Sequence, residues 1–190
     1  MAAMNRRARL GLVVVFLLLL WAIFEFSGLK SQISVASLHD SFERHKLLGL
    51  LSFAALFALG NLIQIPGWLF LAAAVLALGR VWGGLATYVA ACAACVSTFG
   101  LIRLLGADAL RGMDGRVGRW LFARLDAHPL RSVLLLRLMF QTLPALNVAL
   151  ALSGVGFGAY LLGTLLGLPL PILLFTLFFD ALAQALHWGV

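Results

Sequence analysis

The stretch RLMFQTLPALN, Arg137–Asn147, is the segment that says most about the fold. It is polar, whereas the chain around it has the composition of a membrane interior. It carries an arginine, a threonine, two side-chain amides and a proline. A proline removes a backbone donor from a helix interior and breaks or kinks the helix. Irregular backbone at membrane depth is tolerated only where protein covers it or where it lines a wet cavity. The stretch therefore predicts a helix that turns back inside the bilayer and faces a cavity.

The composition around this stretch is that of a polytopic membrane protein. Of the 190 residues, 63% are hydrophobic and 11% are charged, whereas soluble domains have roughly 45–50% and about 25%. Uncharged runs cover residues 47–79, 81–102 and 138–179, and a spanning helix needs only about 20 apolar residues. Helix is the expected element, because backbone polar groups in hydrocarbon must be satisfied within the segment.

The basic residues indicate the topology of the chain in the membrane. They lie beside the apolar runs, so the net charge of +7 does not indicate a surface for nucleic acid. Cytoplasmic loops carry an excess of Lys and Arg, which places the N-terminus and the basic loop near residues 111–131 in the cytoplasm. We expect membrane lipids as partners and no nucleic acid, and the sequence leaves a homo-oligomer open.

The N-terminal part of the chain is predicted to anchor the protein. Its basic start and apolar middle resemble a signal peptide, but no small-x-small cleavage site follows the apolar run. Residues 1–30 are therefore predicted to form a transmembrane anchor helix. Residues 31–46 are predicted to be an interfacial amphipathic segment, because apolar and charged side chains in SQISVASLHDSFERHK fall on opposite helical faces.

The uncharged run over residues 47–79 predicts a hairpin that enters the membrane only part-way. Its 33 residues exceed one span but fall short of two spans and a turn, which need about 40. Its centre, NLIQIPG, clusters polar and helix-breaking residues where a continuous helix would have only apolar ones. We therefore predict a re-entrant hairpin over residues 47–80 and a transmembrane helix over residues 81–106.

The second half is predicted to repeat this plan from the opposite side. A cytoplasmic loop over residues 107–131 leads to a re-entrant hairpin over residues 132–157 and a transmembrane helix over residues 158–180. Halves that begin on opposite sides have inverted topology, which brings broken helices together near the midplane. The predicted fold class is all-α: a polytopic membrane protein with two inverted repeats, each a re-entrant helical hairpin plus a transmembrane helix. Six or seven ordinary helices with proline kinks are the alternative.

Arg137 is the strongest candidate for ligand binding. An arginine in an apolar segment costs about 2.5–3.5 kcal/mol on insertion scales, so it normally faces a wet cavity or a partner. Alternatively, the side chain snorkels to the cytoplasmic surface, because Arg131 lies only six residues earlier, or roughly 9 Å along a helix. The nearby amides and hydroxyl favour the cavity, and a guanidinium is well shaped to hold a phosphate.

The remaining candidates cluster at the two predicted breaks or are isolated carboxyl groups. The predicted substrate-binding residues are Arg137, Gln141, Thr142, Pro144, Asn147, Asn61, Gln64, Pro66 and Gly67. The candidates for proton coupling are Asp40, Glu43, Glu25 and Asp180. The alternative is that these carboxyl groups are solvated or snorkel to the membrane surface, in which case they would not couple to protons. No catalytic motif, metal-ligand cluster or cofactor motif occurs in the sequence, so we expect no enzyme, no cofactor and no metal.

Two further signals concern packing and anchoring. Gly163 and Gly167 form a GxxxG pair, which is typical of close contact between membrane helices. Arg80 and Arg103 bracket the predicted second span and are expected to be interfacial anchors, with a role as ligands the less favoured alternative.

Together these motifs resemble the VTT domain of the DedA superfamily, also called SNARE-associated Golgi proteins. The resemblance covers about residues 47–179 of the chain. It is carried by Pro66-Gly67, Gly79, Gly83, the Arg103-x-x-Gly106 end of the span, Arg137 with Pro144 and Asn147, and the segment YLLGTLLG. It implies an integral membrane fold with two facing re-entrant hairpins and a role in moving lipids between leaflets.

The function that the resemblance implies is lipid transport. The chain is expected to be a flippase or scramblase for phosphate-bearing lipid headgroups, such as undecaprenyl phosphate or phospholipid, in a bacterial inner membrane with its N-terminus in the cytoplasm. The alternative is a proton- or ion-coupled secondary transporter of small solutes that supports membrane homeostasis. Such coupling requires a membrane-embedded carboxylate, and the acidic hairpin residues of transporting relatives have no counterpart in residues 47–79.

Overall fold

The structure is a computed structural model that describes residues 46–106 and 125–186, together with Val15, Leu18, Leu19 and Ala22. Most of the predicted anchor helix, the amphipathic segment up to residue 45 and residues 107–124 of the predicted loop lie outside the described residues. The proton-coupling candidates Glu25, Asp40 and Glu43 also lie outside them, so their roles stay predictions.

The described part of the chain is helical apart from short connections and contains no strand, which confirms the predicted all-α class. In chain order the helices are α1 (Lys46–Leu62), α2 (Gly67–Gly106), α3 (Pro129–Phe140), α4 (Pro144–Leu152), α5 (Phe157–Gly167) and α6 (Pro169–Ala185). Three of them begin with proline. In α3 and α4 the missing N–H group has no helical partner to lose. α6 continues from α5, and its proline leaves the Leu165 carbonyl to accept from the Tyr88 hydroxyl.

The first predicted break separates α1 from α2. The N–H of Ile65 donates to the carbonyl of Gly60 over 2.8 Å, and the N–H of Gln64 donates to the carbonyl of Asn61 over 3.3 Å. These nested bonds form a Schellman motif, whose C′ residue takes a left-handed conformation. Gln64 occupies that position with φ 67°, and Pro66 follows directly before α2. The motif and the proline explain why the helix ends here.

The second predicted break is a tight turn between α3 and α4. The N–H of Leu143 donates to the carbonyl of Phe140 over 3.0 Å. Gln141 has φ 49° and ψ −122°, which are close to the first central position of a type II′ turn. Glycine is the usual residue there. Pro144 then begins α4, so the helix interruption predicted from QTLPALN is present.

A third break divides α2 at Gly79, next to the predicted boundary between the hairpin over residues 47–80 and the span over residues 81–106. This residue has φ 74° and ψ 173°, a conformation that essentially only glycine adopts. Beyond it the chain turns back, so that a Cβ on Gly83 would lie 2.5 Å from the carbonyl oxygen of Ala74. Those two residues would be roughly 13 Å apart in a straight helix. The two parts of α2 therefore pack against each other around Gly79.

Helix packing interleaves the two halves of the chain. α1 packs along α2, α3 along α5, and both α4 and α6 along α2. An aromatic cluster joins α1 to the first part of α2, with ring centroids 6.2 Å apart for Phe53 and Phe57 and 4.9 Å apart for Phe57 and Phe70. α2 is thus the element around which the other helices assemble.

The predicted GxxxG pair is confirmed as the contact between α5 and α3. A Cβ on Gly163 would lie 2.7 Å from Cγ1 of Val133, and a Cβ on Gly167 would lie 2.6 Å from Cβ of Arg137. Both distances are below van der Waals contact. The absence of side chains at these two positions lets α3 approach closely enough to bring Arg137 against α5.

Within residues 46–106 and 125–186, two helical stretches are long and apolar enough to cross a membrane: Gly67–Leu105, which includes the turn at Gly79, and Phe157–Ala185. The second joins α5 to α6 through Leu168, whose dihedral angles stay helical. Its 29 residues extend over roughly 44 Å, against a hydrocarbon core of about 30 Å. Large apolar side chains such as Leu85 and Leu173 stay exposed along both stretches. A surface of this kind indicates contact with lipid or with another chain.

Candidate functional site

The two proline-containing breaks contact each other. A Cβ on Gly67 would collide with the hydroxyl of Thr142 and would lie 3.1 Å from Cζ of Phe57. Glycine at position 67 is therefore what lets the turn between α3 and α4 approach the start of α2. The structure thus brings together the two groups of residues that the sequence singled out separately.

Arg137 lies behind this contact with no exposed surface. Its Nε donates to Oγ1 of Thr164 over 3.2 Å, its Nη1 to the main-chain carbonyl of Gln141 over 3.2 Å, and its Nη2 to the hydroxyl of Tyr160 over 2.8 Å. Its Cζ also lies 5.2 Å from the centroid of the Tyr160 ring, which is a cation–π distance. Complete burial excludes the alternative that the side chain snorkels to the membrane surface. The sequence had predicted that Arg137 faces a wet cavity, whereas the structure encloses it in protein.

The guanidinium is a buried cation without a carboxylate partner in the described part of the chain. The acidic residues there are Asp126, which is exposed, and Asp180, which contacts Arg80. Arginine has five N–H donors, and three of them are used in the hydrogen bonds to neutral oxygens. A buried charge normally requires a paired opposite charge. Two donors and one positive charge therefore remain to be matched, which suits an anionic ligand.

A chain of buried hydrogen bonds extends from the arginine into the second break. The Tyr160 hydroxyl lies 3.0 Å from the main-chain carbonyl of Cys95 and 3.3 Å from Oδ1 of Asn147. The Cys95 thiol lies 3.5 Å from the same Asn147 oxygen. Since one hydroxyl proton cannot serve both acceptors fully, the contacts of Tyr160 can shift between two arrangements.

The chain continues from Asn147 to the first break. Nδ2 of Asn147 donates to Oδ1 of Asn61 over 2.9 Å, and the Thr98 hydroxyl lies 3.4 Å from the same oxygen. Nδ2 of Asn61 is buried and has no hydrogen-bond partner among the described residues. The chain therefore ends in unmatched donors at both Asn61 and Arg137, while its acceptors are occupied.

The other predicted site residues lie around this chain. Thr142, Pro144 and Gly67 are buried where the breaks meet, and Gln141 is half-buried with its carbonyl on Arg137. Pro66 is half-buried. Gln64 is exposed and its side chain makes none of the site's hydrogen bonds, because the left-handed end of α1 turns it outward.

Tyr160 and Thr164 were not predicted from the sequence as partners of Arg137. They stand four residues apart, so they share one face of α5 with the GxxxG glycines. The segment YLLGTLLG was recognised only for its glycines and as a family motif. The signal that could have identified them is that these two polar residues share a helical face with the GxxxG glycines. The glycines pack this face against α3.

Two basic residues predicted as anchors have specific contacts. Nη1 of Arg103 donates to the carbonyl of Val155 over 2.7 Å, which ties α2 to the connection between α4 and α5. Nη1 of Arg80 lies 3.8 Å from Oδ2 of Asp180, which also accepts from Gln184 over 3.0 Å. The Arg80 side chain is 63% exposed, so this ion pair contributes little to stability.

The described residues hold no group of three His, Cys, Asp or Glu side chains that could bind a metal ion. In the comparison with known families, the model described as the VTT domain matches residues 65–181. The matched segment contains Gly67, Arg137, Asn147 and Tyr160. It begins at residue 65, so Asn61 lies outside it. No curated protein and no solved structure matches the chain.

Proposed function

This chain belongs to the VTT domain family, and from that membership and the buried arginine we propose that it is a membrane lipid transporter, a flippase or scramblase. The observation that carries the proposal is the cation of Arg137. It is completely buried and held by neutral oxygens, and two of its N–H donors have no partner among the residues that the structure describes. The ligand that we assign to it is the phosphate of a lipid headgroup, such as undecaprenyl phosphate or a phospholipid.

The chemistry of the phosphate fits the available donors. A guanidinium binds phosphate through two parallel N–H···O bonds, which are charge-assisted and stronger than bonds to neutral acceptors. The hydroxyls of Thr164 and Tyr160 hold the guanidinium plane in one orientation. In the proposed transport step, the headgroup passes between the two breaks while the acyl chains stay in the bilayer. No covalent bond is made or broken, so the proposal requires no enzymatic step and no cofactor.

The membrane arrangement that we propose follows from the contact between the breaks. α1 with the first part of α2, and α3 with α4, would be re-entrant hairpins that enter from opposite sides and meet at Gly67 and Thr142. The spans after them would complete two inverted repeats. Support comes from the proline at each break and from the glutamine in a positive-φ conformation at each break, Gln64 and Gln141. The location would be a bacterial inner membrane with the N-terminus in the cytoplasm.

The test of this proposal is lipid movement in liposomes that contain the purified full chain and a headgroup-labelled phospholipid. Arg137→Met keeps a long side chain but removes the charge and all five donors, so we expect transbilayer movement to fall to the level of empty liposomes. Arg80→Met is the matched control, because Arg80 is largely exposed and should leave the movement unchanged. Movement at the wild-type rate by a folded Arg137→Met variant would reject the assignment.

The alternative is a proton- or ion-coupled secondary transporter of small solutes. The observation that favours it is the carboxylate of Asp180 between α6 and α2, where it contacts both Arg80 and Gln184. A coupled transporter would require an imposed ion gradient, and Asp180→Asn would abolish gradient-driven flux. Lipid movement that is independent of a gradient and unaffected by Asp180→Asn would favour the lipid transporter.

A further inference from the structure

Arg137 has three acceptors among the described residues. Of these, only the main-chain carbonyl of Gln141 lies in one of the two helix breaks. The Thr164 and Tyr160 hydroxyls both come from the regular helix α5, which holds them in place. Gln141 follows directly after the last residue of α3, so its carbonyl can leave the guanidinium by a change in the turn alone. Nη1 of Arg137 donates to this oxygen over 3.2 Å, the same length as the bond to Thr164 and longer than the 2.8 Å bond to Tyr160.

The conformation that presents this carbonyl is strained. Gln141 has φ 49° and ψ −122°, a combination that is comfortable for glycine but not for a residue with a Cβ. No such strain applies to the hydroxyl partners of Arg137. The strained turn is maintained by the Leu143 to Phe140 hydrogen bond and by the contact of the Gln141 carbonyl with a cation that has no carboxylate partner among the described residues. Strain of this kind persists only where surrounding structure enforces it, and it clusters at ligand clamps and switches.

We infer that the Gln141 carbonyl occupies the position of a ligand oxygen on Arg137, and that an arriving phosphate displaces it and lets the turn relax. This inference rests on the proposed function and assigns a role to one of its residues. Gln141 is therefore a positioning residue whose carbonyl competes with the ligand. The sequence had predicted Gln141 as a residue that binds the ligand. The half-buried turn, next to the exposed Phe140 and Leu143, is then where the headgroup enters.

The inference makes the backbone at position 141 control ligand affinity. Gln141→Gly and Gln141→Ala both delete the side-chain amide, so any difference between them reports the backbone alone. Glycine removes the strain from the closed turn, whereas alanine retains it. The closed turn is therefore more stable in the glycine variant, and the phosphate must displace a more stable arrangement. The glycine variant should bind more weakly.

The experiment measures the dissociation constant of dihexanoyl phosphatidic acid for the detergent-solubilised full chain by titration calorimetry. We expect Gln141→Gly to bind about tenfold more weakly than Gln141→Ala, the equivalent of roughly 1.4 kcal/mol. Gln64→Gly and Gln64→Ala are the matched controls. Gln64 also has a positive φ at a helix end, but its carbonyl is not a partner of Arg137, so this pair should differ in thermal stability and not in affinity.

Each outcome separates the inference from the function on which it rests. Equal affinity of the two Gln141 variants, with the wild-type protein binding the lipid, overturns the competition and leaves the transporter proposal intact. Tighter binding by Gln141→Gly overturns it as well. A difference of the same size in the Gln64 pair shows a general effect of glycine and also rejects the inference. Absence of binding by the wild-type protein rejects both proposals.

Discussion

The side-chain amide of Asn147 donates a 2.9 Å hydrogen bond to the side-chain oxygen of Asn61, 86 positions earlier in the chain. Asn61 lies in the last turn of α1, and Asn147 lies in the first turn of α4. Both residues are almost completely buried. The bond therefore links the helix before the first break to the helix after the second, and it is part of the buried chain of hydrogen bonds that leads to Arg137.

We predict that the two asparagines are coupled in stability. Asn147→Leu leaves the Asn61 oxygen with only the weaker Thr98 contact, so it should lower the free energy of unfolding by about 1–3 kcal/mol. The Asn61→Leu and Asn147→Leu double variant should cost less than the sum of the single variants, because replacing both partners by apolar groups leaves fewer unmatched groups. Denaturation in detergent micelles measures the three values, and strictly additive costs would contradict the prediction.

We predict that the Tyr160 hydroxyl is needed for lipid movement. Tyr160→Phe keeps the ring beside the guanidinium but removes one of the three acceptors of Arg137, which should destabilise the fold by about 1.5–3 kcal/mol. It should also slow lipid movement in liposomes, because the guanidinium loses its fixed orientation. Tyr88→Phe is the control. It removes a hydroxyl that donates to the Leu165 carbonyl over 3.1 Å, outside the site, and should leave the movement unchanged.

We predict that the contact between the breaks requires glycine at position 67. Gly67→Ala places a Cβ against the Thr142 hydroxyl, and overpacking of this kind costs about 1–3 kcal/mol. Adding Thr142→Ala removes the nearest atom and should recover part of the stability. Gly158→Ala, where a Cβ meets nothing within 4 Å, should be neutral or stabilising. Melting temperatures of the three variants and the wild-type protein test this prediction, and an unchanged Gly67→Ala protein would show that the breaks do not touch.

We predict that Gly79 is required for its dihedral angles and not for space. A Cβ there meets no atom within 4 Å, yet φ is 74°, so Gly79→Ala should cost about 1–3 kcal/mol through backbone strain. Gly100→Ala has the same open surroundings in a helical conformation and should stabilise by about 0.5–1 kcal/mol. Comparable unfolding free energies for the two variants would contradict this account.

The breaks and the arginine could be predicted from the sequence because their causes are local. Pro66 and Pro144 interrupt a helix wherever they occur in its interior, and Arg137 is costly in any apolar segment. A boundary between hairpin and span was predicted at residues 80–81, but Gly79 was not identified as the residue that makes the turn, because a single glycine inside an apolar run is compatible with a continuous helix. Only its contact geometry, with Gly83 against Ala74, shows that the chain turns there.

The partners of Arg137 could not be predicted because they depend on packing. Tyr160 and Thr164 become acceptors only when Gly163 and Gly167 let α3 approach α5. Gln64 was placed in the site because it is polar in an apolar run. Its direction is set by the left-handed C′ position of the Schellman motif, which depends on how α1 ends and not on polarity.

The burial of Arg137 has a consequence for the permeability of the protein to protons and metal cations. A permanently charged guanidinium at a polar constriction is an electrostatic barrier to protons and metal cations, as arginines are in water-conducting pores. Here that charge lies between α3 and α5, behind the contact of the two breaks, with no surface exposed to solvent. In this position the charge would oppose the passage of protons and metal cations through the contact between the two breaks.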